Sequence, residues 1–129
     1  MRMAGTARAV AWHMKILVVE DEPDLRALYR ENLGDGGHDV LTAANGAEGL
    51  GVVAREQPDL VVLDLMMPVM DGYEFLDHLR KMPGRERTPA VVVSALATGG
   101  YSRKLGATKF VSKPFDVDEL LSVVEKFAA

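Results

Sequence analysis

Three runs in this chain are apolar at every position: Ile16-Leu17-Val18-Val19, Leu60-Val61-Val62-Leu63 and Ala90-Val91-Val92-Val93. A strand with one face in water alternates apolar and polar residues, so a run with no polar member has both faces buried. Their shortness and β-branched content favour strands over buried helices. Asp39-Val40-Leu41-Thr42-Ala43 reads as a shorter strand of mixed pattern, suited to a sheet edge, and Lys109-Phe110-Val111 as a brief fifth strand.

Helical signals separate the strands. Leu25, Leu28, Tyr29 and Leu33 recur at helical spacing, and Gly34-Asp35-Gly36-Gly37 ends that segment. Asn45-Gly46-Ala47-Glu48 and Asp71-Gly72-Tyr73-Glu74 each supply a cap residue with a glutamate three later. The second opens a helix that carries Phe75, Leu76 and Leu79 inward, and Asp116-Val117-Asp118-Glu119 opens one that carries Leu120, Leu121, Val124 and Phe127. Strands alternating with helices imply a parallel sheet joined by right-handed crossovers, with helices on both faces. The expected fold is α/β and doubly wound, and in such sheets ligands bind beyond the carboxyl ends of the strands.

With 129 residues the chain suits one domain. The formal net charge of −4 and the lack of a lysine or arginine cluster argue against direct nucleic-acid binding. Cysteine is absent, which excludes disulfides and thiolate metal sites and favours a reducing cytoplasm. No apolar stretch approaches the roughly 20 residues of a membrane span. Residues 1–14 show no usable period and read as a leader, disordered or left from an overlong start, with a short extra helix as the alternative; the domain itself is expected over 15–129.

The strand ends carry the chemistry. Glu20, Asp21 and Glu22 follow the first strand, Asp64 ends the third, Ser94 ends the fourth, and Lys113-Pro114 follows the fifth. Taken singly, each has a structural explanation: acids complementing a helix start, a turn hydroxyl, a solvated lysine, a capping aspartate. Together they share one rim. Clustered carboxylates take up protons or bind a cation, and an oxygen-only donor set favours Mg²⁺. A hydroxyl and an ammonium beside them suit the remaining oxygens of a phosphoryl group carried by an aspartate nucleophile.

These segments, in the order Ile16-Leu17-Val18-Val19-Glu20-Asp21-Glu22, Asp64-Leu65-Met66-Met67-Pro68-Val69-Met70-Asp71-Gly72, Ser94-Ala95 and Lys113-Pro114-Phe115, make Lys15 to Phe127 resemble the receiver domain of two-component response regulators. The resemblance implies a flavodoxin-like strand order 2-1-3-4-5 and a phosphoryl group accepted on Asp64 from a sensor histidine kinase or histidine phosphotransfer protein. It implies Mg²⁺ held by Glu20, Asp21, Asp64 and the backbone carbonyl of Met66, with Ser94 and Lys113 on the phosphoryl oxygens. Ser94 and Phe110 would form the switch, and Pro114 would follow a cis peptide bond. Such a domain catalyses only its own phosphorylation and dephosphorylation. It acts through an output partner or fused output domain, with a homodimer as a possible state.

The chain departs from the family pattern in three ways. Glu20 stands where aspartate is usual, and Phe110 lacks a hydroxyl, so a switch there works through packing. The stretch from Ser94 to Lys113 is about three residues short, which predicts a shortened fourth helix over Ala97–Gly106. Met66 and Leu96 flank the expected phosphoryl group without a polar arm to orient water, which predicts slow self-dephosphorylation. Two other classes compete with the receiver reading. A Mg²⁺-dependent phosphatase would want a second acid at Met66, and an unphosphorylated binding module would not need Asp64, Ser94 and Lys113 together.

Overall fold

The computed structural model describes residues 13–65, 67, 69–94, 107–113 and 116–128. Five parallel strands form one sheet: β1 (Lys15–Val19), β2 (Asp39–Ala43), β3 (Leu60–Asp64), β4 (Ala90–Ser94) and β5 (Lys109–Ser112). Their order is β2-β1-β3-β4-β5. Four described helices cover the faces: α1 (Pro23–Asp35), α2 (Gly46–Glu56), α3 (Gly72–Lys81) and α4 (Val117–Ala128). The shortened helix expected over Ala97–Gly106 lies outside the described residues, as do Met66 and Pro114.

The period-2 side-chain alternation of the strands divides the core in two. Leu17, Val19, Val61, Leu63, Ala90 and Val92 pack with Val52 and Val53 of α2 and Phe75, Leu76 and Leu79 of α3. Ile16, Val18, Leu60, Val62, Val91 and Val93 pack on the other face with Tyr29 and Leu33 of α1 and Leu120 and Val124 of α4. Both faces of β1, β3 and β4 are therefore dry, which is why these strands carry no polar residue before their ends. Each fully buried Val or Leu contributes about 1.5–3 kcal/mol. At the edge, β2 keeps only Ala43 buried.

The helix signals hold with local differences. Asp71 and Glu74 form a reciprocal capping box at α3. Asn45 accepts from the Glu48 N–H at 2.9 Å, but the Glu48 carboxylate reaches past the cap to the N–H of Ala44 at 2.8 Å. In α4, Asp116 accepts from the N–H of Glu119 at 2.8 Å. The Gly34–Gly37 stretch ends α1: the helix runs to Asp35, Gly36 caps it, and Gly37 makes the left-handed turn at φ +95°. Leu28, expected on the inner stripe of α1, is exposed, because the buried stripe follows Leu25, Tyr29 and Leu33 at intervals of four.

The packing of the chain extends one residue upstream of β1. Met14 is buried; its N–H donates to Nδ1 of His38 at 3.2 Å, and its carbonyl accepts from the N–H of Asp39 at 2.9 Å. Burial, followed by the neighbouring His13, holds the His38 imidazole below the usual histidine range. It therefore stays neutral and can accept the Met14 N–H.

Candidate functional site

The strand order reverses between β1 and β3: from β1 the chain steps outward to β2, then back across β1 to β3. At such a switch point the connections leave in opposite directions and open a crevice beyond the strand ends. The register sets what lines it. Val19 pairs with Leu63, so the next residues on these neighbouring strands are Glu20 and Asp64. Asp64 pairs with Val93, which puts Ser94 one step further on β4. Ser94 pairs with Ser112, which puts Lys113 one step beyond β5, and the Lys113 N–H donates to the Ser94 carbonyl at 2.8 Å.

The register thus sets these four strand ends side by side, and those of β1, β3 and β5 line a pocket. A pocket of about 430 Å³ opens there, lined by Glu20, Asp21, Glu22, Pro23, Leu25, Asp64 and Lys113. Glu20, Asp21 and Asp64 each offer a carboxylate oxygen, all within 4.8 Å of one another. Nζ of Lys113 lies 3.1 Å from Oδ2 of Asp64 and 3.9 Å from Oε1 of Glu20. Ser94 is fully buried at the end of β4. Phe110 is half-buried, pairs with Val92 and packs on the α2–α3 side of the core.

Glu20 is the electrostatic centre of the site. It is 2% exposed, and burial pushes its carboxyl up to about 7. The N–H of Glu22, donating at 3.1 Å, works against that shift; Asp64 adds to it, Lys113 opposes it, and Asp21 adds again. Oε1 of Glu20 has no hydrogen-bond donor among the described residues, although it is buried. Among the described residues, four lining carboxylates against one ammonium leave the pocket short of positive charge. An oxygen-only donor set with an unsatisfied buried oxygen fits a hard divalent cation such as Mg²⁺.

Helix and loop packing holds the pocket's frame. A Cβ on Gly72 would stand 2.7 Å from the Asp64 carbonyl oxygen and 2.7 Å from Cα of Leu65, so only glycine lets α3 begin this close to β3. Val69, in the loop between them, has φ +69° and is 81% exposed. Arg26, which the sequence did not single out, donates from Nη1 to the carbonyls of Glu20 at 2.8 Å and Asp21 at 3.4 Å. Its signal in the sequence is only its position, one helical turn past the acids.

A sheet of this order with acids, a hydroxyl and a lysine at its switch point defines a phosphorylation-type receiver architecture, and comparison agrees. Residues 16–125 match the model of the response regulator receiver domain, and the chain belongs to that family. It is 37% identical over 116 residues to sporulation initiation phosphotransferase F of Bacillus subtilis, covering 88% of this chain and 92% of that one. It is 42% identical over 109 residues to the probable transcriptional regulator ycf27 of Porphyridium aerugineum, covering 82% of this chain but 44% of that protein. Among solved structures, the receiver domain of the Francisella response regulator 1452 superposes with a TM-score of 0.84 at 30% identity, covering 89% of this chain and 96% of that one. The chain is therefore a receiver domain of two-component signalling. It spans nearly all of some relatives and under half of others. No helix among the described residues is long and apolar enough to cross a membrane.

Proposed function

We propose that Asp64 is the phosphoacceptor of this receiver domain. The observation that carries the reading is the Asp64–Lys113 pair at 3.1 Å, set within a cluster of three carboxylates at the switch point. In the proposed step, a carboxylate oxygen of Asp64 attacks the phosphorus of a phosphohistidine on a sensor kinase or histidine phosphotransfer protein. The P–N bond breaks, its electron pair stays on the imidazole nitrogen, and an acyl phosphate forms on Asp64.

Lys113 supplies the ammonium for one phosphoryl oxygen, and the Ser94 hydroxyl, at the adjacent strand end, donates to another. Glu20 and Asp21, with Asp64 and, by the family pattern, the backbone carbonyl of Met66, would hold Mg²⁺. When bound, that ion neutralises the charge of the acids and of the incoming phosphoryl group. The new charged group draws on Ser94 and biases the packing of Phe110 on β5, a two-state change read by an output partner or fused output domain. The Pro114 cis peptide, slow self-dephosphorylation and a cytoplasmic location belong to the same reading, by the family pattern. A homodimer is a compatible state.

Intact-mass measurement after acetyl phosphate and Mg²⁺ treatment tests this directly. The expected result is one phosphoryl adduct, absent in Asp64→Asn. A folded wild-type protein that takes up no phosphoryl group would sink the reading.

A further inference from the structure

We propose that Arg26 is a positioning residue that sets the geometry of the metal-binding acids by clamping the backbone between β1 and α1. The inference rests on the reading of Glu20, Asp21 and Asp64 as the metal-binding set. Two successive carbonyls at this junction accept from this one side chain. The Arg26 guanidinium donates from Nη1 to those of Glu20, at 2.8 Å, and Asp21, at 3.4 Å, while its backbone N–H makes the first bond of α1, to the Glu22 carbonyl at 2.9 Å. On the other side, the Glu20 N–H is held by the Ala43 carbonyl at 3.0 Å. The peptide planes that carry Glu20 and Asp21 are thus fixed from both directions.

Arg26 sits in the first turn of α1, where the helix dipole disfavours a cation. Its guanidinium points back along the helix toward the N-terminus, as helical side chains do, and so reaches the junction. Its planar fork can meet two carbonyls at once, which an ammonium meets less well. The need for such a clamp lies at Asp21. The Asp21 side chain is exposed, so the Arg26 bond to its carbonyl holds the Cα from which its carboxylate reaches toward Glu20 and Asp64.

The test compares wild type with Arg26→Met and Arg26→Lys by Mg²⁺ titration calorimetry and by amide hydrogen exchange at Glu20, Asp21 and Glu22 without metal. We expect Arg26→Met to weaken Mg²⁺ binding about tenfold, the usual cost of losing a group that orients metal ligands. Exchange at the junction should quicken in parallel, with Arg26→Lys intermediate in both. Unchanged Mg²⁺ affinity in both variants overturns the proposal, even where exchange quickens. Should wild type bind no Mg²⁺, the metal-site reading fails; exchange then still judges the clamp, and unchanged exchange overturns it.

Discussion

The Lys113 ammonium lies 3.1 Å from Asp64 and 3.9 Å from Glu20, two acids on neighbouring strands, and is the one cation among the described residues lining a pocket with three carboxylates that could hold a metal. Lys113→Met should leave the acids facing one another, cut adduct formation from acetyl phosphate at least tenfold and lower metal-free stability by about 1–3 kcal/mol. Asp64→Asn should act oppositely on stability. It relieves repulsion on Glu20 while leaving Lys113 a partner, and should raise the metal-free urea midpoint. A lower midpoint for Asp64→Asn would show that the Lys113 pair outweighs the repulsion.

The Glu20 carboxyl, raised by burial from its ordinary 4.5 to about 7, gives a pH dependence with a definite sign. Between those values the folded protein binds more protons than the unfolded chain, so its metal-free stability falls as pH rises through the window. Glu20→Gln should remove that component, and saturating Mg²⁺ should offset it by favouring the ionised form. Urea denaturation from pH 4.5 to 7.5, as the difference between wild type and Glu20→Gln, isolates the effect. A difference that does not grow with pH would contradict it.

Two glycines should respond in opposite ways to alanine. A Cβ at Gly72 meets backbone of Asp64 and Leu65 at 2.7 Å, so Gly72→Ala should displace the strand end, costing about 2 kcal/mol or more and slowing adduct formation. At Gly34, inside α1, a Cβ meets nothing within 4 Å; Gly34→Ala should stabilise by about 0.5–1 kcal/mol without touching phosphorylation. Thermal melts and adduct rates on both variants check the pair.

Val69 holds a left-handed backbone at φ +69°, a conformation that costs a β-branched residue, and its side chain is 81% exposed and recovers little by burial. Val69→Gly and Val69→Asn should both raise the melting temperature, by the equivalent of about 1 kcal/mol, with adduct formation intact. A lower melting temperature in both would mean that Val69 makes stabilising contacts in this loop.

Much of this protein is legible in its amino acids. Uninterrupted apolar runs at 16–19, 60–63 and 90–93 demand burial on both faces, and only a parallel sheet between two helical layers provides it. The positions of Glu20, Asp21, Asp64 and Ser94 follow from those runs, because a polar residue directly after a dry strand must emerge at the sheet's rim, and Lys113 follows the brief fifth strand in the same way. Local signals failed where tertiary packing outvoted them. Leu28 has the spacing of a core residue but faces solvent, since the stripe through Leu25, Tyr29 and Leu33 already meets the sheet.

The sequence by itself determined the fold class, the family and the set of strand-end residues, because these depend on periodicity and order along the chain. Tertiary structure alone decided how they act on one another. The 3.1 Å pairing of Lys113 with Asp64, across 49 positions, the burial that raises the Glu20 carboxyl, and the grip of Arg26 on the Glu20 and Asp21 carbonyls all depend on distances and desolvation. Those quantities arise only when separate strand ends meet in space.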